Sequence, residues 1–569
     1  MKLITCKTIL KLISNSEIKY RKGGFMMKTK LFRSRGLRNV LATLIAVIMA
    51  TSLIGCGNAA ESLDSNGSIA ETAKVSTVES TEGNSMNSRD SISLALPSDY
   101  ANMAPNGMAT AAGRMVNVNL YSTLFYTSAE GERILDAATS VKQEDDTHII
   151  VQIRDDIVDQ AGNTLTASDV LFSFKLARDG STAFPTYVTN IDFDNCEVVD
   201  DITLRIALLE SSALSLPLIG QVYLVTEAGY NSSSDGMITD VVATGAYKVE
   251  SFVSGSSVTL IPNENYYGEE PAIKKANYIV ISETSQVVNS LVNNDIQVGT
   301  ISASDYDYIN SQDDTYAFKA VGGTMWSLFM NCGEGKLLEK KEARQAIGYA
   351  INKDAIIAAA LNGIGEKANG PFPVVCIEKN NYWDEVGKAH DNYYDFNQDK
   401  ARELADASGL VGQTIRLIYT NSQPIEKIMA EQVQAQLQMI GITAIIDVYD
   451  DAVYNDTIQN STDWDICFQP YGNAAMSAIG AMNTFAVTMN QVHLYGDMQE
   501  EFNSMVNDAL NTVDEAERIE KTNAIEEYVT EENFIYAIAP STTLYGVEKG
   551  LHVELVNSAW LRLQMLYYE

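Results

Sequence analysis

The stretch PIEKIMAEQVQAQLQMIGITAIIDVY, residues 424–449, restricts the fold more than any other part of the chain. Ile425, Met429, Val433, Leu437 and Ile440 recur at helical spacing on one face, Gly441 is placed to end the helix, and a β-branched run begins at once. A helix that hands straight to a strand belongs to α/β layering. Residues 149–153 (IIVQI) and 204–208 (LRIAL) read as further strands, and Thr166-Ala167-Ser168-Asp169 before VLFSFKLA reads as a capped helix start. Residues 500–513 and 515–529 fit two more helices. The chain that carries these elements, from Ser91 to Glu569, exceeds what one hydrophobic core usually serves, so at least two mixed α/β lobes are expected. There is no fixed-period repeat.

The N-terminal part has a different logic. Lys28, Lys30, Arg33, Arg35 and Arg38, with no acidic residue among them, precede an apolar run over residues 40–55 that is broken by Thr43, Thr51 and Ser52. A membrane span wants roughly 20 mainly apolar residues, so residues 26–55 read as a signal peptide in export order. The run ends in Leu53-Ile54-Gly55-Cys56. This resembles the lipobox of bacterial lipoproteins, which implies lipidation of Cys56, cleavage before it and anchoring on the outer face of the cell membrane. Two or more acyl chains anchor stably where one holds only marginally. Residues 1–25 serve no purpose upstream of a complete signal and are read as the product of a misplaced start codon. Residues 56–90 follow Cys56 with Ser, Asn, Thr, Glu and Gly and almost no large apolar side chain, the composition of a flexible linker.

The chain holds 40 basic and 74 acidic residues; removal of residues 1–55 leaves 29 against 73, a net charge of −44. So negative a surface repels phosphate backbones, which excludes nucleic acid as a partner. Cys196, Cys332, Cys376 and Cys467 are widely spaced without a C-x-x-C pair and read as free thiols rather than metal ligands or a redox couple. No cofactor is expected. The chain has no Walker loop, no G-x-S-x-G elbow and no H-E-x-x-H, and its four histidines are scattered, so a secreted hydrolase is disfavoured and no enzyme activity is expected. Asp192, Asp194 and Glu197 read as decoration of a solvated turn.

Several separated motifs, in one order, resemble the family 5 solute-binding proteins of ABC importers, the oligopeptide, dipeptide and nickel group. They are LTASDVLFSFKLARD at 165–179, VATGAYKVESFVSGSSVTLIPNENYYGEEPAIKKANYIVI at 242–281, and LFMNCGEGKLLEKKEARQAIGYAINKDAII at 328–357, where Asn331, Arg344, Gln345, Ala346, Ala350, Ile351 and Asn352 carry the match. Read bottom-up, these residues build the fold: Thr166 and Asn352 as helix caps, Val170 and Phe174 as core, Gly245 at a backbone angle closed to larger residues, and Asn265-Tyr266-Tyr267-Gly268 as an aromatic-packed turn.

The resemblance implies a two-lobed periplasmic-binding-protein-like fold of the large cluster, with an extra subdomain in lobe I and a hinge of two crossing segments. By collinearity, lobe I is residues 91–282 plus 541–569 and lobe II residues 283–540. It implies capture of a small solute between the lobes, with an ABC permease and ATPase as partners. In peptide-binding relatives an aspartate after the W/Y-G turn pairs with the peptide amine; here the stretch CFQPYGNAAMSAIGAMNTF, residues 467–485, offers Asn473 and no acid. An unpaired buried amine is costly, so a standard free-amine peptide is disfavoured. The histidine of nickel relatives is also missing, although NENYYGEEPAIKK is similar to the nickel branch. A peptide or peptide-like solute is the first expectation, a metal chelate or a sensing role the alternatives. By position, Met108, Arg114, Thr324, Met325, Trp326, Tyr471, Asn473 and Met476 are the ligand-binding candidates, and Arg114 makes an anionic or amphipathic solute the natural guest. No metal ligands are assigned.

Overall fold

The computed structural model describes residues 19–22, 25–28, 89–107, 110–128, 132–180, 184–373, 376, 393–472, 475–556 and 560–569. Residues 1–85 and 86–569 form two separate units. In the first, Lys19–Lys22 pairs antiparallel with Phe25–Lys28. The apolar run of the signal, Cys56 and residues 57–88 lie outside the described residues, as do Met108 and Asn473.

The second unit is organised on a ten-stranded mixed sheet. In chain order its strands are β1 (Ser91–Leu96), β2 (Tyr247–Val253), β3 (Ser257–Pro262), β4 (Lys275–Val280), β5 (Val298–Ile301), β6 (Thr315–Met330), β7 (Thr414–Thr420), β8 (Thr443–Tyr449), β9 (Ile466–Tyr471) and β10 (Ile535–Glu548). In space they run β2-β3-β4-β1-β5-β10-β6-β9-β7-β8. The pairs β4–β1, β1–β5, β9–β7 and β7–β8 are parallel and the rest antiparallel. A second, four-stranded antiparallel sheet contains His148–Ile153 and Thr203–Ala207, with Ile149 opposite Ile206, where the sequence shows strands.

Side chains alternate across the large sheet with period two, so each half has a core on either face. In the first half Ile92, Leu94, Leu96, Tyr545 and Val547 face one core, while Ala95 and Leu544 face the other with Val287, Leu291 and Ile301. In the second half Leu328, Met330, Leu417, Phe468 and Ile538 face one core and Phe329, Ile418, Cys467 and Ile535 the other. The helix α1 (Ala111–Leu120) and α2 (Ala167–Arg178) cover the first half; α3 (Pro424–Met439), α4 (Gly496–Leu510) and α5 (Glu515–Glu532) cover the second. In α3, Met429, Val433 and Leu437 are fully buried, and Gly441 follows at φ 82°.

Among the described strands, β6 and β10 alone run through both halves. Their ladder is regular to Val321 opposite Thr542 and resumes at Met325 opposite Pro540, so Gly322, Gly323 and Thr324 face the single residue Ser541. This bulge lies where the cores change: Ala320 packs in the first half and Met325 in the second. A Cβ on Gly322 would sit 2.5 Å from Ser541 Oγ, and one on Gly472 would sit 2.4 Å from the Gly323 carbonyl oxygen. Glycine lets the strands cross at that distance.

The motif residues occupy the structural posts read from the sequence, with one correction. Thr166 and Asp169 form a capping box, Asn352 accepts from the Ala355 amide at 3.0 Å, and Val170 and Phe174 are fully buried. Tyr266 and Tyr267 pack at 4.7 Å within their turn. Gly245, however, is absent from the positive-φ glycines. What forbids a side chain there is space, since a Cβ would lie 2.5 Å from the Leu120 carbonyl group. Arg344, fully buried, donates to Glu532 Oε2 at 2.6 Å and to the Glu339 and Glu532 carbonyl oxygens, pinning the end of α5 to the 341–350 helix. Asp192 accepts from Asn195 in an exposed turn, as expected of that acidic group.

Candidate functional site

The halves meet on one side of the sheet. Residues 211–214 of the first half reach the end of α4, where Ala213 donates its amide to the Leu510 carbonyl at 2.7 Å and Ser211 Oγ donates to the Asn511 carbonyl at 3.1 Å. Leu214 packs into the second-half core. Nearby, Arg133 lies over the Phe125 ring at 5.0 Å. Burial lowers its pKa, against the pull of Glu515 and with the push of Arg518, both from α5.

Within the first half is a cavity of about 30 Å³. Arg114 reaches it from the first turn of α1, which Thr110 caps by accepting from the Gly113 amide at 3.1 Å. Its guanidinium donates to the Tyr187 hydroxyl and has no carboxylate partner among the described residues. Arg562 comes from the C-terminal return and stacks over Tyr126 at 4.2 Å. Its Nη2 pairs with Asp136 Oδ2 at 3.0 Å, with both side chains almost fully buried. Asp136 is held from other directions by the Tyr267 hydroxyl at 2.6 Å and the Thr123 amide at 3.0 Å. Burial opposes the Arg562 charge, but Asp136 outweighs it and the pKa rises, so the cation is permanent. Burial pushes Tyr223 up to about 12 although both arginines pull it down, which leaves a neutral phenol in the wall. Phe184 and Trp560 complete an aromatic lining.

On the opposite side of the crossing is a roomier groove of about 360 Å³, lined by Ile301, Leu361, Ile425, Leu544 and other residues of which Thr542 alone is polar. Solute sites combine apolar walls with a few convergent polar groups. The smaller cavity has that chemistry and the larger groove lacks it.

The sequence candidates separate into two groups. Arg114 lines the cavity. Thr324 sits half-buried in the bulge, while Met325 pairs with Tyr471 in the ladder and both are fully buried. Tyr471 packs against Phe329 at 5.5 Å, and its hydroxyl has no partner among the described residues. Trp326 faces the other side of the sheet, against the core of α3. Met476 is buried at φ 52°. Arg562, Asp136, Tyr126 and Trp560 were not among the candidates. A lone arginine inside the apolar run AWLRLQML is the one signal that could have marked a buried, paired cation.

Among the described residues one group has metal-like spacing, Glu144, Asp145 and His148, and it is solvent-facing. Arg205 already pairs with Glu144 at 2.5 Å. His493 is structural: burial lowers its pKa, it bonds the Ile458 carbonyl at 3.0 Å and it packs on Trp464. All four described cysteines are free, and burial pushes the Cys332 thiol up to about 11.

Residues 133–491 match the model of the bacterial extracellular solute-binding proteins, family 5. The chain belongs to this family. A Brucella ovis protein named as an ABC transporter peptide-binding protein is 27% identical over 314 residues, covering 52% of this chain and 56% of the relative. The chain thus spans about half the length of the curated relatives it matches first. Among solved structures, HbpA2 of Haemophilus parasuis superposes with a TM-score of 0.75 at 16% identity, covering 84% of this chain and all of that one. The ABC transporter substrate-binding protein CtaP of Listeria monocytogenes does so with 0.72 at 19%, covering 85% and 100%. These establish the two-lobed periplasmic-binding-protein fold for this family 5 member. Its relatives are solute-binding proteins rather than enzymes, and no described helix is long and apolar enough to cross a membrane.

Proposed function

We propose that the chain is the lipid-anchored, extracytoplasmic solute-binding subunit of an ABC importer, closing two lobes on a peptide or peptide-like solute and presenting it to a permease. The observation that carries this reading is the cationic, aromatic-walled cavity in the first of two halves that, among the described strands, β6 and β10 join by crossing between them. Such a joint suits bistable closure, and a guest that touches both halves favours the closed state by its differential affinity. The peptide class is supported by the names of relatives such as the Brucella ovis protein. The anchor rests on Cys56 at the end of its export signal.

The lobes are drawn at the bulge: residues 91–320 with 543–569, and residues 325–539. Val287, Leu291 and Ile301 pack with Ala95 of β1, which supports grouping 283–320, put in lobe II by the resemblance, with lobe I.

Calorimetry of the purified full chain against di- to hexapeptides, their N-acetylated forms, and nickel with histidine tests the reading. Saturable binding of a peptide class without cleavage is expected. Release of cleaved product over time would instead make the chain a hydrolase, and binding confined to nickel–histidine would replace the peptide by a chelate.

A further inference from the structure

Resting on the solute-binder reading, we infer that the Arg114–Arg562 cavity is an end-group subsite that takes one carboxylate of the solute. Size comes first. A water needs about 10–15 Å³ of such space, so a cavity of about 30 Å³ admits two waters or one small polar group and excludes a residue with its side chain. Only the end of a solute fits.

Charge and hydrogen bonding then select the group. Arg114 and Arg562 bring two positive charges to the lining and Asp136 one negative charge, an excess of one cation; the exposed Glu554 acts on Tyr126 from outside. The free capacity is on the donor side. Among the described residues, Arg562, 3% exposed, has a buried Nε–H without a partner, and the Arg114 guanidinium donates to a phenol and to no carboxylate. A buried donor left unmade is expensive, more so on a charged group. An ammonium would add a third cation among these, and a neutral amide would leave the excess charge unpaired. A carboxylate accepts from both guanidiniums at once and brings the lining to neutrality. Tyr187, Tyr223 and Phe184 shield the pair from water, which strengthens it. The same chemistry serves a peptide C-terminus or a non-peptide organic acid.

The test uses the full chain and matched probes: N-acetylated tri- to pentapeptides as free acids, the same peptides as C-terminal amides, and the non-peptide acids succinate and citrate. Free acids should bind about tenfold or more tighter than their amides, the size of one charge-assisted contact. Arg114→Gln, on a half-buried helix turn, should shrink that difference, weakening the free acids about tenfold more than the amides. Arg562→Lys keeps the charge opposite Asp136 and removes the Nε–H, and should narrow the difference in part. Succinate or citrate binding that depends on Arg114, with no peptide binding, would keep the carboxylate subsite and assign it to a non-peptide acid. Acids and amides binding equally well would overturn the subsite and leave the solute-binder reading standing, as would Arg114→Gln weakening both forms alike. Binding of none of the probes would overturn both.

Discussion

Two buried carboxylic acids show how single residues set the pH response. Glu526 on α5 is nearly fully buried, and burial pushes its carboxyl up to about 8. Glu426 on α3 is likewise raised to about 8, by burial first, with Asp451 adding and the Thr420 amide opposing. Both hold their proton in the folded chain where an unfolded glutamate, with a pKa of about 4.3, has lost it. Their contribution to stability is therefore complete below the unfolded pKa and is lost as pH rises to about 8. Urea unfolding of Glu526→Gln should show a shallower fall in stability between about pH 5 and pH 8 than the parent chain. Parallel curves would refute the assignment. Neither acid could be picked out by eye: Glu426 in PIEKIMAE and Glu526 in AIEEYV look like ordinary helix-surface glutamates. Their burial follows from helix rotation against neighbours distant in sequence.

At the scale of elements, helix ends and stripes were legible while the crossing was not. Capping residues and i, i+4 apolar repeats act within a few residues, so Thr166, Asn352 and the face of α3 appear where local chemistry puts them. The bulge at residues 322–324 depends on β10, more than two hundred residues later, and the Gly-Gly pair shows only that the backbone there is permissive. Gly472 belongs to this contact. An alanine there would place its Cβ 2.4 Å from the Gly323 carbonyl oxygen, a backbone atom that cannot step aside alone. Gly472→Ala should cost about 2–3 kcal/mol, as overpacking does, and should alter solute affinity through the joint. Gly409→Ala, at φ 87° but with open space around it, should cost about 1 kcal/mol and leave affinity untouched. Equal losses measured by chemical denaturation and calorimetry would count against a steric constraint at the joint.

For the whole molecule, net charge is the property that composition alone sets. A chain at −34 repels itself when compact, and its ion pairs, mostly at the surface, offset little of that. Added NaCl should raise the melting temperature as the Debye length falls to about 8 Å at 0.15 M. A melting temperature that drops over this range would show that attractive pairs dominate. By itself the sequence determined the α/β class, the lobe number and the family, because each rests on composition or on patterns repeated within a few residues. The tertiary structure alone decided which residues share a cavity. Arg114 and Arg562 stand more than four hundred positions apart and meet because the C-terminal return packs against α1. No local pattern records that meeting, since only the closed core lets a distant cation be buried beside Asp136.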